Sequence, residues 1–493
     1  MSTSVIYNKF RHENLRKFMN SLLGTDTLYF GIGRSLPWDV TNNSDSVIPQ
    51  AHVNALDEGK DYEDMLSMKR VNSSDVAFGI EKLIWQAGYK YDTYRHDWDG
   101  VSRSSSYNSS LYPSSVATSK CTVITVNGNI YMCIKAPVVS GVVQISLYSP
   151  DTGIPVGSST GIVKTADEYY WKLIGVTGFA QGQSFSSNSF HPISTLTTSP
   201  ELTDPYYVQW QAQTTSASFK GGIYCINVTA GGVGYNGGVA GLSHVTNAET
   251  DTGFNVFGDG IGIQMNVSYS AVGTIIDVEV VNPGSGYTYA YIVPVGGTGA
   301  GFDIIFTPLS GLGVDPAKDV DSTYLLVTAF LDRSEGGIFT VANDFRKISL
   351  VSNPLLYGDG NIQATAPALD ATISLTLNNV SGGDGAFTSD DIIISSGAAR
   401  ARVVDWILGS GGVGVLRVIK TRYDGYVNGQ NASKQFVVGD TVSPVSPTGS
   451  GTIIGITPQG IKPHSGNVIY SEYLGPHVRG SDQQEYIRCV VHF

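Results

Sequence analysis

The feature that most constrains this chain is a ten-residue unit that occurs twice. Ile226-Asn-Val-Thr-Ala-Gly-Gly-Val-Gly-Tyr235 aligns with Val278-Glu-Val-Val-Asn-Pro-Gly-Ser-Gly-Tyr287. Each copy alternates like a strand and runs into a Gly-x-Gly-Tyr turn. The turn demands positive φ, which glycine adopts freely, and the tyrosine caps the edge of a sandwich. No Lys or Arg occurs between Lys220 and Lys318, and 21 of the 58 glycines fall between Gly221 and Gly313. A second motif links this stretch to a later one: Thr298-Gly-Ala-Gly-Phe-Asp-Ile-Ile-Phe-Thr-Pro308 matches Thr448-Gly-Ser-Gly-Thr-Ile-Ile-Gly-Ile-Thr-Pro458. The region Ile362 to Thr457 therefore reads as a second β module in the style of the first. Both read as insertions in surface loops, where added length costs little closure entropy.

The chain has 493 residues, too many for one core and enough for about three compact units. Charged residues are only 15%, which suits turn-rich β structure better than helical bundles. A net charge of −12 argues against a nucleic-acid footprint, which needs a basic patch. No apolar run approaches the ~20 residues that span a bilayer. The N-terminal segment MSTSVIYNKFRHENLRK lacks the apolar core of a signal peptide, so synthesis and assembly in a cytoplasm are expected. Cys121, Cys133, Cys225 and Cys489 form no C-x-x-C pair, which points to buried thiols rather than zinc or thioredoxin chemistry.

Local patterns fill in the elements. Leu15, Phe18, Met19, Leu22 and Leu23 recur at helical spacing, with Gly24 as C-cap. Asp61 to Gln86 reads as weakly helical through Met65, Met68, Phe78, Leu83 and Ile84. Ser102 to Ser119 reads as an exposed loop, and Cys121 to Tyr148 as a hairpin turning at Asn127-Gly128.

Four further segments follow one another in a particular order. Gly31 to Trp38, GIGRSLPW, ends the strand Leu28 to Ile32 in a rigid corner that fixes Arg34, Pro37 and Trp38. Asp167 to Ile174, DEYYWKLI, carries Trp171; Phe345 to Leu355, FRKISLVSNPL, carries Phe345, Arg346, Asn353 and Pro354; Ser465 to Glu472, SGNVIYSE, carries Tyr470 and Glu472. The series resembles the baseplate wedge subunit (gene product eight) family of T-even-like contractile-tailed phages. That family has a GR-x-x-PW corner, a W-x-x-L strand, an FR-x-IS-x-x-x-NP strand and an SG-x-x-IY-x-E segment. It also has an Arg-x-Asp-Trp segment where this chain has Arg95 to Trp98. The resemblance covers roughly residues 1–215, 314–361 and 459–493.

Motifs that could carry chemistry favour bland readings. Gly157-Ser-Ser-Thr-Gly161 fits G-x-S-x-G around Ser159, but no helix of useful length follows, as a nucleophile elbow requires. Gly232 to Gly237 and Gly409 to Gly414 fit G-x-G-x-x-G, yet Val415-Leu-Arg-Val-Ile419 is a strand and not the helix that holds a pyrophosphate. The eight histidines form no metal-binding pair. Arg95, His96, Asp97 and Trp98 read as a satisfied polar turn. Asp384, Asp390 and Asp391 read as solvated turns, since no calcium-loop pattern is present. Asp167 and Glu168 could suit sugar cleavage, but a charged turn entering an aromatic strand explains them more simply.

The expected fold class is mainly β: a two-layer β-sandwich core with a few short helices and two inserted Gly-rich modules. The expected divisions are 1–215, 216–313, 314–361, 362–458 and 459–493. The resemblance implies a non-enzymatic virion protein of the tail baseplate. It implies a homodimer bound to other wedge subunits, without cofactor, metal, nucleic acid or membrane insertion. Arg34, Pro37, Trp38, Trp98, Trp171, Phe345, Arg346, Asn353, Pro354, Tyr470 and Glu472 would then serve fold and interface integrity. The competing expectation is a receptor-binding or glycan-degrading tail fibre or tailspike, supported by the Gly-rich modules, the 27 tyrosines and the neighbouring acids.

Overall fold

The computed structural model describes residues 8–51, 62, 64–97, 121–139, 142–156, 161–245, 253–341, 343–420, 434–446 and 448–493. The chain is mainly β, with 46% strand and 13% helix. It divides into two compact units. One comprises Met1–Leu15, Ala77–Leu326 and His492–Phe493; the other comprises Arg16–Val76 and Val327–Val491.

The first unit is built on a five-stranded antiparallel sheet in the order Thr122–Ile124, Asn129–Lys135, Tyr170–Val176, Ile162–Lys164, Ile154–Val156. The expected Asn127-Gly128 turn joins its first two strands, with Gly128 at φ 80. Both faces are covered, so the central strands are buried along nearly their whole length rather than in alternation, Lys172 included. Ile130, Met132, Ile134 and Ile174 pack against Phe219 and Leu312, while Tyr131, Cys133 and Trp171 pack against Tyr91. Helix Tyr207–Ser216 buries Gln209, whose Oε1 accepts the Val176 N–H at 2.8 Å while its Nε2 donates to the Ser194 carbonyl at 2.7 Å.

The glycine-rich stretch of this unit forms a second five-stranded sheet: Gly241–Val245, Ile261–Tyr269, Ile275–Ser285, Ile223–Val233, Thr298–Phe306. A two-stranded ribbon, Phe254–Gly258 with Ala290–Pro294, packs on it through Phe254, Val256 and Ile292. The repeated units are direct partners, because Ile226 pairs antiparallel with Val278. The two copies are thus related by a local pseudo-twofold axis that passes through this pair. Gly232 and Gly284 have φ of 59 and 64, and Gly234 and Gly286 have φ of 81 and 82. Tyr235 lies over Gly297 and Tyr287 over Gly260, where a Cβ would come within 2.5 Å and 2.4 Å of the rings.

The second unit is built on a five-stranded sheet in the order Ala368–Asp370, Met65–Val71, Leu28–Gly33, Phe345–Ser352, Asn467–His477. Leu28–Gly33 is buried along its whole length. Gly31 is required there, since a Cβ would lie 2.7 Å from both Met65 Sδ and Ser349 Oγ. Six further strands close into a barrel: Ile373–Ser381, Gly414–Ile419, Arg400–Leu408, Ile392–Ser395, Thr441–Pro444 and Ser450–Thr457. Leu375, Leu377, Ile393, Val403, Leu416, Val418, Val442 and Ile453 fill it.

Two expectations are corrected. The region from Asp61 to Gln86 is not helical where described from Asp64 on: it forms strands Met65–Val71 and Val76–Glu81 around a short 3-10 turn at Ser73–Asp75. Met65 and Met68 are three apart, a spacing that suits a helix, but both are buried in a central strand with both neighbours paired. Tertiary pairing overrides so short a pattern. The N-terminal helix is Asn8–Ser21, and Gly24 follows it in a turn without left-handed φ. Leu23, expected on the apolar face, is exposed.

Candidate functional site

The corner after Leu28–Gly33 is made by backbone geometry that few residues accept. Arg34 has φ 61, in the left-handed region, and its N–H donates to the Asp64 carbonyl at 2.8 Å. Asp64, at φ 62, mirrors it, and a Cβ on Gly33 would lie 2.7 Å from the Asp64 oxygen. The chain can turn here only with glycine at 33.

Arg34 then folds back over its own corner. Its Nη2 donates to the Pro37 carbonyl at 2.8 Å, its guanidinium lies 4.4 Å from the Trp38 ring centroid, and its Nη1 is 3.5 Å from Asp64 Oδ2. Trp38 is half-buried. It stacks on Tyr473 at 4.5 Å, donates Nε1–H to the Leu474 carbonyl at 2.7 Å, and its N–H binds Asp45 Oδ1 at 3.0 Å. Asp45 also takes Arg346, whose Nε is 2.9 Å from both carboxylate oxygens, while Arg346 Nη1 reaches Asp344 Oδ1 at 2.9 Å and the Ser35 carbonyl. Ser35 Oγ donates to Asp390, and Arg402 approaches Asp64 Oδ1 at 3.4 Å. Three arginines and four aspartates thus lie together where three chain segments meet.

The electrostatics fit a brace rather than a reactive centre. Burial pulls the Arg34 guanidinium below its ordinary value, opposed by Asp64 and reinforced by Arg402 and Arg346. Burial also works against the charge on Arg346, but its hydrogen bonds to Asp344 and Asp45 outweigh it and hold that guanidinium above its ordinary value. Burial raises the Asp390 carboxyl, against Ser35, Asn343 and Arg402. Asp390 is therefore not the solvated turn carboxylate expected from its Gly-rich surroundings. A buried arginine with several acceptors positions backbone and side chains, and losing one partner of such a pair costs about 3–5 kcal/mol.

The other expected residues divide by unit. Phe345 is buried with its ring 4.9 Å from His477. Asn353, at φ 53, accepts the Thr27 N–H at 2.8 Å and donates to Asp26 at 3.1 Å, and the Pro354 carbonyl accepts the Ala364 N–H at 2.8 Å. Tyr470 donates to Glu472 at 2.8 Å, opposite Leu350 and Ile348 on the neighbouring strand. These residues share the sheet that carries the corner. Trp171 belongs to the first unit, fully buried, stacked on Tyr169 at 5.6 Å and edge-on to Tyr91 at 5.4 Å. Trp98 and Ser159 lie outside the described residues.

The remaining motifs are structural where they are described. Arg95 is clamped by Asp303, at 2.5 and 3.1 Å, and by Asp97, at 3.0 and 3.1 Å. Asp167 accepts the Leu147 and Tyr148 N–H groups at 2.5 and 3.2 Å, as a turn carboxylate does. His191 holds Ser186 Oγ at 2.9 Å and Thr177 Oγ1 at 2.8 Å; burial pushes it down to about 4, so it is a neutral core histidine. Among the described residues no group of three or more His, Cys, Asp or Glu could hold a metal ion, and no helix is long and apolar enough to cross a membrane.

Sequence reasoning missed Asp45, Asp64, Asp344 and Arg402 and took Asp390 for a solvated turn; these are the partners that complete the corner. Only Asp344, next to Phe345-Arg346, lay near a motif; the others are brought in by chain segments with no shared spacing. No protein-family model matches this chain, and no curated protein matches it.

Proposed function

We propose that this chain is a structural virion protein, a baseplate wedge component of a contractile phage tail. The observation that carries the reading is spatial. The corner at Arg34–Trp38, the Phe345–Ser352 strand and the Asn467–His477 strand hold three of the four segments behind the family resemblance. They are neighbours in one sheet, joined through Asp45, Tyr473 and Leu474. Segments far apart in sequence converge on one braced corner, and no reactive group stands in it. In this role the protein holds wedge geometry during assembly and moves with its partners when the baseplate rearranges. It works as a homodimer in contact with other wedge subunits, and it catalyses nothing.

Light scattering after size exclusion tests the dimer: a stable trimer or a strict monomer at micromolar concentration would sink it. Cryo-electron microscopy of the intact virion tests the location. Density for this chain in the baseplate supports the reading, and density only in a distal fibre replaces it with the tail-fibre alternative.

A further inference from the structure

The outer face of the Phe254–Gly258/Ala290–Pro294 ribbon has a composition that its fold does not need. Side chains alternate across a strand, so Phe254, Val256 and Ile292 point into the module core while residues 255, 257, 291 and 293 point out. The outward residues stand in cross-strand rungs. Asn255 pairs with Val293 and Phe257 with Tyr291. Just beyond the ribbon Asp259 meets Tyr289, whose N–H it accepts at 3.3 Å. Rungs of this kind are roughly 7 Å apart along a strand. The Phe257 and Tyr291 rings stack at 5.2 Å with 20° between their planes, and Tyr289 and Tyr291 are 58% and 55% exposed.

We propose that this face is a binding platform for a neutral glycan chain, whose pyranose rings stack on Phe257, Tyr291 and Tyr289. The C–H face of a pyranose is apolar and weakly positive, and it suits the negative face of an aromatic ring. The hydroxyls around a sugar ring need hydrogen-bonding groups beside the stack. Asn255 lies at one end, and no hydrogen bond occupies its amide among the described residues. Asp259 lies at the other. Its carboxylate is held in place by the Thr288 N–H at 2.8 Å and Thr288 Oγ1 at 2.5 Å, and these bonds lower it to about 2, so it stays ionised as an acceptor.

Three observations favour this ligand. The central aromatic rung, Phe257 with Tyr291, is flanked on one strand by Asn255 and the ionised Asp259, with Val293 opposite Asn255, and a fixed carboxylate beside the stack suits a hydroxyl-rich ligand better than the apolar face of a protein, which would leave it buried without a hydrogen bond. Anionic sugars and phosphates are disfavoured, because the chain has no Lys or Arg between Lys220 and Lys318. The platform is also preorganised. Phe254 and Val256, 0% and 1% exposed, anchor the ribbon from below, so binding orders little backbone. The inference stands whether or not the chain belongs to a baseplate.

The test is affinity electrophoresis of the full chain through gels containing dextran, laminarin, hydroxyethyl cellulose or galactomannan, with heparin as the anionic comparison. At least one neutral polysaccharide should retard the protein and heparin should not. Tyr291→Ser should weaken the retardation about tenfold or more. Tyr291→Phe, which keeps the ring, should stay within roughly threefold of the parent, a difference of well under 1 kcal/mol. Val272→Ser, at another exposed site of the module, should change nothing. Unfolding curves of all three variants should match the parent, since each site is exposed. Failure of all four neutral polysaccharides to retard the chain overturns the proposal, as does equal retardation of Tyr291→Ser and parent. Self-association by light scattering that Tyr291→Ser abolishes would also overturn it, because the face would then be a protein contact.

Discussion

The module at 223–306 leaves its sheet open and lays a ribbon over one face, whereas the module at 373–457 closes six strands into a barrel. The two share a motif, and in both it leads into the last strand, Thr298–Phe306 in one and Ser450–Thr457 in the other. A shared Gly-rich phrase therefore fixes how a strand is entered and not how the sheet ends. Both modules use glycine in the same two ways, since Gly414 and Gly449 of the barrel clear the Trp406 ring and the Ser381 carbonyl while Gly237 and Gly296 of the open module turn with nothing within 4 Å. In the open module Gly260 and Gly297 make room for tyrosine rings, and Gly232 and Gly284 for carbonyls. In the barrel Gly383, Gly411 and Gly412 turn in open space, where an added Cβ would meet nothing within 4 Å. Docking polarity is reversed. The open module offers acids to bases outside it, Asp303 to Arg95 and Asp277 to Lys135 at 2.5 Å. The barrel offers bases to acids outside it, Arg402 to Asp64 and Arg417 to Asp370 at 3.0 Å. An ion pair does not record which side supplied the charge, so either polarity can attach a module.

The largest effect should come from breaking an attachment. Arg95 has a side chain 1% exposed against an Asp303 that is 15% exposed, so Arg95→Met should cost about 3–5 kcal/mol by leaving the Asp303 carboxylate unpaired. On the barrel side Asp370 is 26% exposed and solvent shares the load, so Arg417→Met should cost only about 1.5–3 kcal/mol. Denaturant melts of both variants measure this. Equal losses would erase the distinction between a buried and a half-open clasp.

The second test exploits the local twofold. Gly232→Ala and Gly284→Ala each place a Cβ 2.4 Å from a carbonyl oxygen at positive φ, and should cost about 2–4 kcal/mol apiece. Gly411→Ala in the barrel has only the positive φ against it and should cost about 1–2 kcal/mol. If the two open-module variants differ by more than about 1 kcal/mol, the axis describes geometry but not energetics.

A smaller effect concerns pH. The folded state raises the Asp390 carboxyl by burying it, so it holds that proton more tightly than the unfolded chain does. The associated stability is fully present below the unfolded value near ~4 and declines as pH rises through the folded value. Asp390→Asn should remove this slope in melts recorded between pH 4 and pH 7. A slope unchanged by the substitution would show that the carboxyl titrates normally. The smallest effect is kinetic. Amide exchange should be faster at the edge strand Gly241–Val245 than anywhere along Ile373–Ser381, which is paired on both sides. Equal protection would mean that closure confers no local advantage.

Much of this fold was legible in the sequence where the pattern was strictly local. The repeat, the Asn127-Gly128 turn and the corner glycines announce themselves, because each satisfies a backbone requirement that few residues meet. What stayed hidden depends on distant partners. Met65 and Met68 look helical until the strands on either side are known. Asp45, Asp64 and Asp390 are ordinary acidic letters until Arg346, Arg34 and Ser35 come to them. Closure of the second module left no trace either, since a barrel and an open sheet use the same alternation.

The order in which the central sheet is assembled has a consequence for biosynthesis. Leu28–Gly33 meets Met65–Val71 soon after emerging, but its other edge pairs with Phe345–Ser352, made more than three hundred residues later. At about 5–20 residues per second a ribosome needs roughly 15–60 s to deliver that partner. Residues 77–326, by contrast, are uninterrupted in the other unit and can condense as they appear. While residues 77–326 are being made and condense, the nascent chain therefore carries an apolar ribbon with one open edge. That ribbon invites pairing with the same ribbon on a neighbouring polysome. Chaperone occupancy and yield on expression should track how long this edge waits, more than the stability of the finished protein.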